Sequence, residues 1–346
     1  MTNPPNILLI YTGGTIGMVK DYKTNALKAF DFSQIVDNIP ELQQLNCHIK
    51  SISFKEPIDS SNMNTKYYVD IVELIEKNYT KFDGFVILTG SDTMSYVSSA
   101  VSFMLKNLKK PIIFTGSQLP IGDLRTDAKE NLITSIQIAA SQEDGKPVLA
   151  EVCLYFEYKL YRANRTTKIS AEQFEAFTSM NYPPLAESGV HLSFNKHLIH
   201  QPKNKHDELI VRKQLANDIV ILKLFPGIRK EVVQSILEIP NLKGVVLETY
   251  GSGNAPTSKS FIKLLEDAID KGIKIVNVTQ CAGGSVIQGH YETSVALNKI
   301  GVINGKDITT EAAIAKLMHL LNKNLTALDF KFLFEKSMRG EITEVE

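Results

Sequence analysis

The chain has 346 residues, and its 38 lysines and arginines are matched by 38 aspartates and glutamates. That length exceeds what a single hydrophobic core usually serves, so two domains are expected. The even charge leaves no global field to draw the chain onto nucleic acid or a membrane surface, which favours a small-molecule partner.

The opening "MTNPPNILLIYTGG" has no basic leader. Its apolar run Ile7–Ile10 is too short for a signal-peptide core or a membrane span, so a cytoplasmic protein is expected. Cys47, Cys153 and Cys281 lie far apart and form no C-x-x-C pair, which argues against a disulfide framework and against a cysteine zinc site. Strands are predicted at the β-rich apolar runs Ile7–Ile10, Phe85–Leu88, Ile112–Phe114, Val148–Phe156, Val220–Phe225, Val245–Leu247 and Ile273–Val278. Between many of them, segments with helical period at 67–79, 94–108, 127–140 and 258–271 predict helices. Such alternation builds βαβ units and a parallel sheet covered on both faces, an α/β class. From 191 to 218 the pattern lapses into a polar, lysine-rich stretch with room for a short extended segment. Its His191, His197, His200 and His206 match no zinc spacing, and no metal is expected. We read 1–195 as the N-terminal catalytic domain, 196–217 as a linker and 218–346 as a C-terminal α/β domain.

Parallel sheets bind ligands beyond the carboxyl ends of their strands, so the residues after each run carry the functional signal. They are rich in hydroxyls: "YTGGTIG" (11–17), "TGSDTM" (89–94), "TGSQLP" (115–120) and "TQCAGG" (279–284). Three of these contain a Thr-Gly step followed by another hydroxyl, which predicts a polar pocket on one sheet edge. The glycines of the first loop suit either a phosphate cradle or a reactive threonine, and the loop alone leaves both open. No G-x-x-x-x-G-K-[ST] and no G-x-G-x-x-G spacing occurs, which weakens the phosphate reading. A hydroxyl nucleophile needs a base. Asp92 beside Ser91, and Lys168 after the strand at 148–156, are the candidate helpers.

With these residues in view, "YTGGTIGM", "DSSNM", "GFVILTGSDTMSYVSSAVSFML", "PIIFTGSQLP", "LYRANRTTK", "YGSGNAP", "VNVTQC" and "GVINGKDITTEAAIAKL" resemble, in order and almost end to end, the segments of the bacterial-type L-asparaginases of the cytoplasmic type I branch. The resemblance implies a two-domain α/β fold: a larger N-terminal domain with a mostly parallel sheet and flanking helices, and a smaller C-terminal domain. It implies hydrolysis of L-asparagine to L-aspartate and ammonia without cofactor or metal, and no nucleic-acid or membrane partner. It implies a homodimer or homotetramer whose sites are completed across the interface. Carried over residue by residue, Thr15 matches the nucleophile, and Ser91, Asp92 and Lys168 match a second catalytic group. Asp59, Ser60 and Ser61 match the substrate-gripping segment, and Asn254 matches a residue reaching in from a neighbouring subunit. A backbone N–H of the Gly90-Ser91-Asp92 stretch is the expected oxyanion donor.

The chain departs from the family at three places. Serine at Ser91 replaces the usual threonine of that group and lacks the methyl that limits its rotamers. The loop tyrosine that many relatives use to activate the nucleophile has no clean match: Tyr22 lies early in the loop, and Tyr291, in a segment after a second-domain strand, is the favoured relay. Thr167, Glu248 and Cys281 match the allosteric positions of activated relatives, and Glu248 stands where those relatives carry an arginine, so activation by asparagine is not expected.

Overall fold

The computed structural model describes residues 3–20, 27–29, 39–202, 204, 206–288 and 292–344. The chain divides into two compact units, 1–213 and 214–346, so it passes from one to the other inside the 196–217 stretch. The first unit is built on eight strands: β1 Asn6–Tyr11, β2 His48–Ser53, β3 Gly84–Leu88, β4 Ile112–Thr115, β5 Val152–Phe156, β6 Lys159–Arg162, β7 Ala186–Ser188 and β8 Leu192–Phe194. Their order across the sheet is β8-β7-β6-β5-β4-β3-β1-β2. Neighbours from β2 to β5 run parallel, and β6 to β8 add an antiparallel flank.

The central strands explain why the apolar runs were legible. Ile7 to Ile10 and Phe85 to Leu88 are fully buried, as required of strands covered on both faces. Helices α1 Thr65–Asn78, α2 Met94–Met104 and α3 Ala128–Ala140 lie between them in sequence. Side chains of α3, including Leu132 and Ile136, join Ile7, Leu9, Val86 and Ile113 in one core. The edge strand β2 alternates exposed and half-buried residues, and it has no apolar run to announce it.

Two local expectations need correction. The helix predicted over 94–108 stops at Met104, because Leu105–Lys106 pairs antiparallel with Ile210–Val211 and Asn107 takes a left-handed φ of 63°. The run predicted as a strand over 148–156 is extended in the sheet only from Val152; upstream, Lys146–Pro147 closes a small hairpin on Gln142–Glu143. The stretch 191–218, read as polar with a short extended segment, contributes β8 and the pairing at 210–211, and Lys213 bonds Glu73 and Glu76 of α1.

The second unit carries four parallel strands, β9 Ile219–Lys223, β10 Gly244–Thr249, β11 Lys274–Thr279 and β12 Ile303–Asn304, in that order. Helices α4 Lys230–Leu237, α5 Lys259–Asp270, α6 Glu292–Lys299, α7 Thr310–Leu320 and α8 Ala327–Glu335 complete it. Val245 and Leu247 of β10 face one apolar core with Val233 and Leu265, while Val246 faces another with Leu317 and Phe334. A fully buried Lys316–Glu341 ion pair fastens the C-terminal segment: Lys316 Nζ also donates to the carbonyls of Phe334 and Lys336. Among the described residues no helix is long and apolar enough to cross a membrane.

Candidate active site

The three Thr-Gly steps leave one sheet edge side by side. β1, β3 and β4 are neighbours, with Tyr11 in register with Leu88 and Leu88 with Thr115. Two of the threonines are used up in joining strands. The Thr12 N–H and hydroxyl both donate to the Leu88 carbonyl, at 2.9 and 3.0 Å, and the Thr115 hydroxyl donates to Tyr155 O at 2.9 Å. Thr15 is placed differently: it opens a short 3-10 turn, Thr15–Gly17, and is half-buried.

Glycine is required where the loops meet. Gly14 has φ of 90°, and a Cβ there would stand 2.3 Å from the Gly90 nitrogen. A Cβ on Gly90 would stand 2.5 Å from Ser60 Oγ. The Gly13–Gly14 turn is therefore packed backbone against backbone on Ile58 and Gly90, and the Ser60 side chain fills the space over Gly90. Tyr11 supports the first of them from below. Its buried ring lies where a side chain on Gly17 would go, and its hydroxyl donates to Gly14 O at 3.4 Å. Burial pushes the Tyr11 phenol up to about 12, so it is an anchor and a poor base at neutral pH.

The 58–62 segment hangs on the end of β1, with Ile58 N–H donating to Thr12 O at 2.8 Å. Asp59 caps the turn Ser60–Asn62 by accepting from the Ser61 N–H at 2.9 Å and the Ser61 hydroxyl at 2.8 Å. These two bonds, the backbone one foremost, hold its carboxyl below the usual carboxylate range. Thr93 precedes α2 without capping it. Its hydroxyl donates instead to Ser60 O at 2.9 Å, joining the two loops.

Ser91, Asp92 and Lys168 converge. Lys168 Nζ donates to Ser91 Oγ at 2.9 Å and to Asp92 Oδ1 at 2.6 Å. The lysine side chain is 16% exposed and the aspartate 68%. Lys168 is delivered by the "RANRTTK" segment, which docks on a serine-lined face of α2: Thr166 Oγ1 bonds Ser95 Oγ at 3.0 Å, and Asn164 Nδ2 bonds Ser102 Oγ at 3.2 Å. Small hydroxyl residues let that turn approach the helix closely and satisfy its polar groups. Thr167–Lys168 then pairs with Phe177–Thr178 as a hairpin. Two residues not singled out in the sequence also enter the site. Gln118 accepts the Ser91 hydroxyl at 3.1 Å, and buried Asp127 accepts the Gln118 N–H at 2.9 Å and the Leu119 N–H at 3.1 Å. The available signal was the place of Gln118 in the third of the Thr-Gly loops and that of Asp127 directly before α3.

The structure thus brings together Thr15, Asp59, Ser60, Ser61, Gly90, Ser91, Asp92 and Lys168 on three loops and one hairpin of the first unit. Asn254 belongs to the second unit, in a tight loop after β10 where Tyr250 and Asn254 exchange backbone hydrogen bonds at 2.9 and 2.8 Å. Tyr22 and Tyr291 lie outside the described residues. Glu248, at the end of β10, accepts from Thr310 Oγ1 at 2.7 Å and from Lys223 Nζ at 3.2 Å. Among the described residues no group of three or more metal-ligating side chains is assembled. Chemically, the assembly offers hydroxyls for attack, a shielded ammonium for proton transfer and carboxylates for an ammonium ligand.

The family model for the asparaginase N-terminal domain matches residues 6–200, and that for the glutaminase/asparaginase C-terminal domain matches 218–334. The chain is 40% identical to L-asparaginase 1 of Escherichia coli over 341 residues, 98% of each chain. It is 37% identical to the 60 kDa lysophospholipase of Mus musculus over 97% of its length and 62% of that protein. Its fold matches the crystal structure of L-asparaginase I from Vibrio cholerae with a TM-score of 0.89 and 37% identity, covering 98% of this chain and 99% of the other.

Proposed function

The chain belongs to the asparaginase family; it hydrolyses L-asparagine to L-aspartate and ammonia, and we propose that Thr15 is the nucleophile, served by the Ser91–Asp92–Lys168 group. The observation that carries this reading is the convergence of Lys168 on Ser91 and Asp92 beside the loop that bears Thr15. The Asp59 and Asp92 carboxylates hold the substrate α-ammonium, while the Ser60 hydroxyl and nearby backbone N–H groups hold the α-carboxylate. Thr15 Oγ attacks the side-chain amide carbon, and a backbone N–H of the Gly90–Asp92 stretch receives the developing oxyanion. The Thr15 proton passes through a phenol relay, Tyr291 in preference to Tyr22, to the departing nitrogen, which leaves as ammonia. Water then attacks the Thr15 ester, guided by Ser91 and with proton exchange at Lys168, releasing aspartate and the Thr15 hydroxyl.

The active form is a homodimer or homotetramer in which Asn254 completes the site of a neighbouring subunit. A cytoplasmic setting is supported by three free cysteines, Cys47, Cys153 and Cys281. Steady-state ammonia release from L-asparagine, with L-glutamine and a lysophospholipid as alternative substrates, tests the assignment. Thr15→Ala lowers turnover by about 10²-fold or more while circular dichroism stays native. A folded Thr15→Ala enzyme with near-normal turnover overturns the assignment of the nucleophile.

A further inference from the structure

Serine at position 91 poses a geometric problem that the structure answers with Gln118. A serine hydroxyl has no β-methyl and three staggered χ1 wells open to it, so its direction must be imposed from outside. Ser91 is buried and has two partners: Lys168 Nζ at 2.9 Å and Gln118 Oε1 at 3.1 Å. An ammonium only donates, so Ser91 Oγ accepts from Lys168, and its own proton points at Gln118. The Gln118 amide is oriented by the same logic. Its Nε2 donates to the carbonyl of Gln173 at 3.0 Å, and a carbonyl only accepts, which turns Oε1 toward Ser91. Gln173 lies in the hairpin that carries Lys168, so one amide ties the serine to the segment bearing its proton partner. The Gln118 backbone is held separately by two bonds to the Asp127 carboxylate, at 3.1 and 2.9 Å. Asp127 is in turn bonded by Asn131 Nδ2 at 3.1 Å.

We propose that Gln118 is a positioning residue that imposes on Ser91 the single hydroxyl direction a β-methyl would otherwise favour. The proposal rests on Ser91 belonging to the catalytic group. Because Asp127 grips the backbone and not the side chain, Gln118→Leu removes the amide without releasing the loop.

The test is a double-mutant cycle on kcat and KM for L-asparagine, with thermal unfolding of each variant as the folding control. Losing one neutral hydrogen bond in the transition state lowers kcat of Gln118→Leu by about tenfold with KM little changed. In a Ser91→Thr background, where the methyl restricts the rotamer, the same substitution lowers kcat by less than about threefold. An undiminished kcat in Gln118→Leu, or equal losses in both backgrounds, overturns the proposal. Ser91→Ala is measured in parallel: if it keeps full turnover, the reading of Ser91 as catalytic has failed, whereas its loss alongside an unaffected Gln118→Leu refutes the positioning role alone.

Discussion

Replacing Lys168 by methionine separates chemistry from stability. The side chain keeps its length and packing but loses the ammonium that bonds Asp92 at 2.6 Å and Ser91 at 2.9 Å. The cost to folding is small. Asp92 is 68% exposed, and an ion pair with one solvated partner is worth about 0.2–1 kcal/mol. The bond to Ser91 adds about 1 kcal/mol, as for other hydrogen bonds. The cost to turnover is larger, because general acid–base groups contribute about 10²–10⁴-fold. At about 1.36 kcal/mol per decade that is ~3–5 kcal/mol of barrier, more than the folded state loses. The assay pairs thermal unfolding with steady-state ammonia release. Lys168→Met is expected to stay folded with its unfolding midpoint a few degrees lower and kcat reduced by about 10² or more. Lys168→Arg distinguishes charge from proton exchange: it keeps the cation but does not deprotonate, so it remains slow. A folded Lys168→Met enzyme within about threefold of normal kcat refutes the reasoning, and full rescue by Lys168→Arg refutes the proton-exchange part of it.

Mixing a Thr15→Ala chain with an Asn254→Ala chain is expected to restore part of the activity through hybrid sites, and an active monomer by light scattering excludes that arrangement. The Asp59 carboxyl is held low by the Ser61 N–H and hydroxyl, so it stays charged into acid and, in the role proposed for it, is expected to go on holding the substrate ammonium there. Ser61→Ala removes the hydroxyl bond, and the acid-side rise in KM is expected to begin at higher pH than in the native protein. An unmoved acid limb removes Asp59 from ammonium binding. The rate curve for L-asparagine is expected to be hyperbolic, because the Glu248 carboxylate is already engaged by Thr310 and Lys223 and repels a second carboxylate; a sigmoidal curve shows coupling through other contacts.

Much of the fold was legible in the sequence because burial on both faces forces a continuous apolar run. Ile7 to Ile10 and Phe85 to Leu88 are readable for that reason. The edge strand β2 and the hairpin strand β6 were not, since "HIKSIS" and "KLYR" lack a run and are strands only because partners lie beside them. Likewise the helix at 94–108 was read too long, its end being set by a distant pairing at 210–211.

The site divides along the same line. The sequence by itself determined the hydroxyl-rich turns after the strands, the glycines that allow close loop contact, and the presence of Asp92 and Lys168. These follow from local backbone conformation and from strand ends, which are written in neighbouring residues. Only the tertiary structure decided that Thr12 and Thr115 bond strands while Thr15 opens a separate turn, that Thr93 grips Ser60, and that Gln118 accepts a hydrogen bond from the Ser91 hydroxyl. Lys168 meets Ser91 across 77 positions of chain. A contact over that separation is fixed by how a turn packs on the serine face of α2 and by the direction each hydroxyl is made to point, and neither has a periodicity that a linear sequence displays.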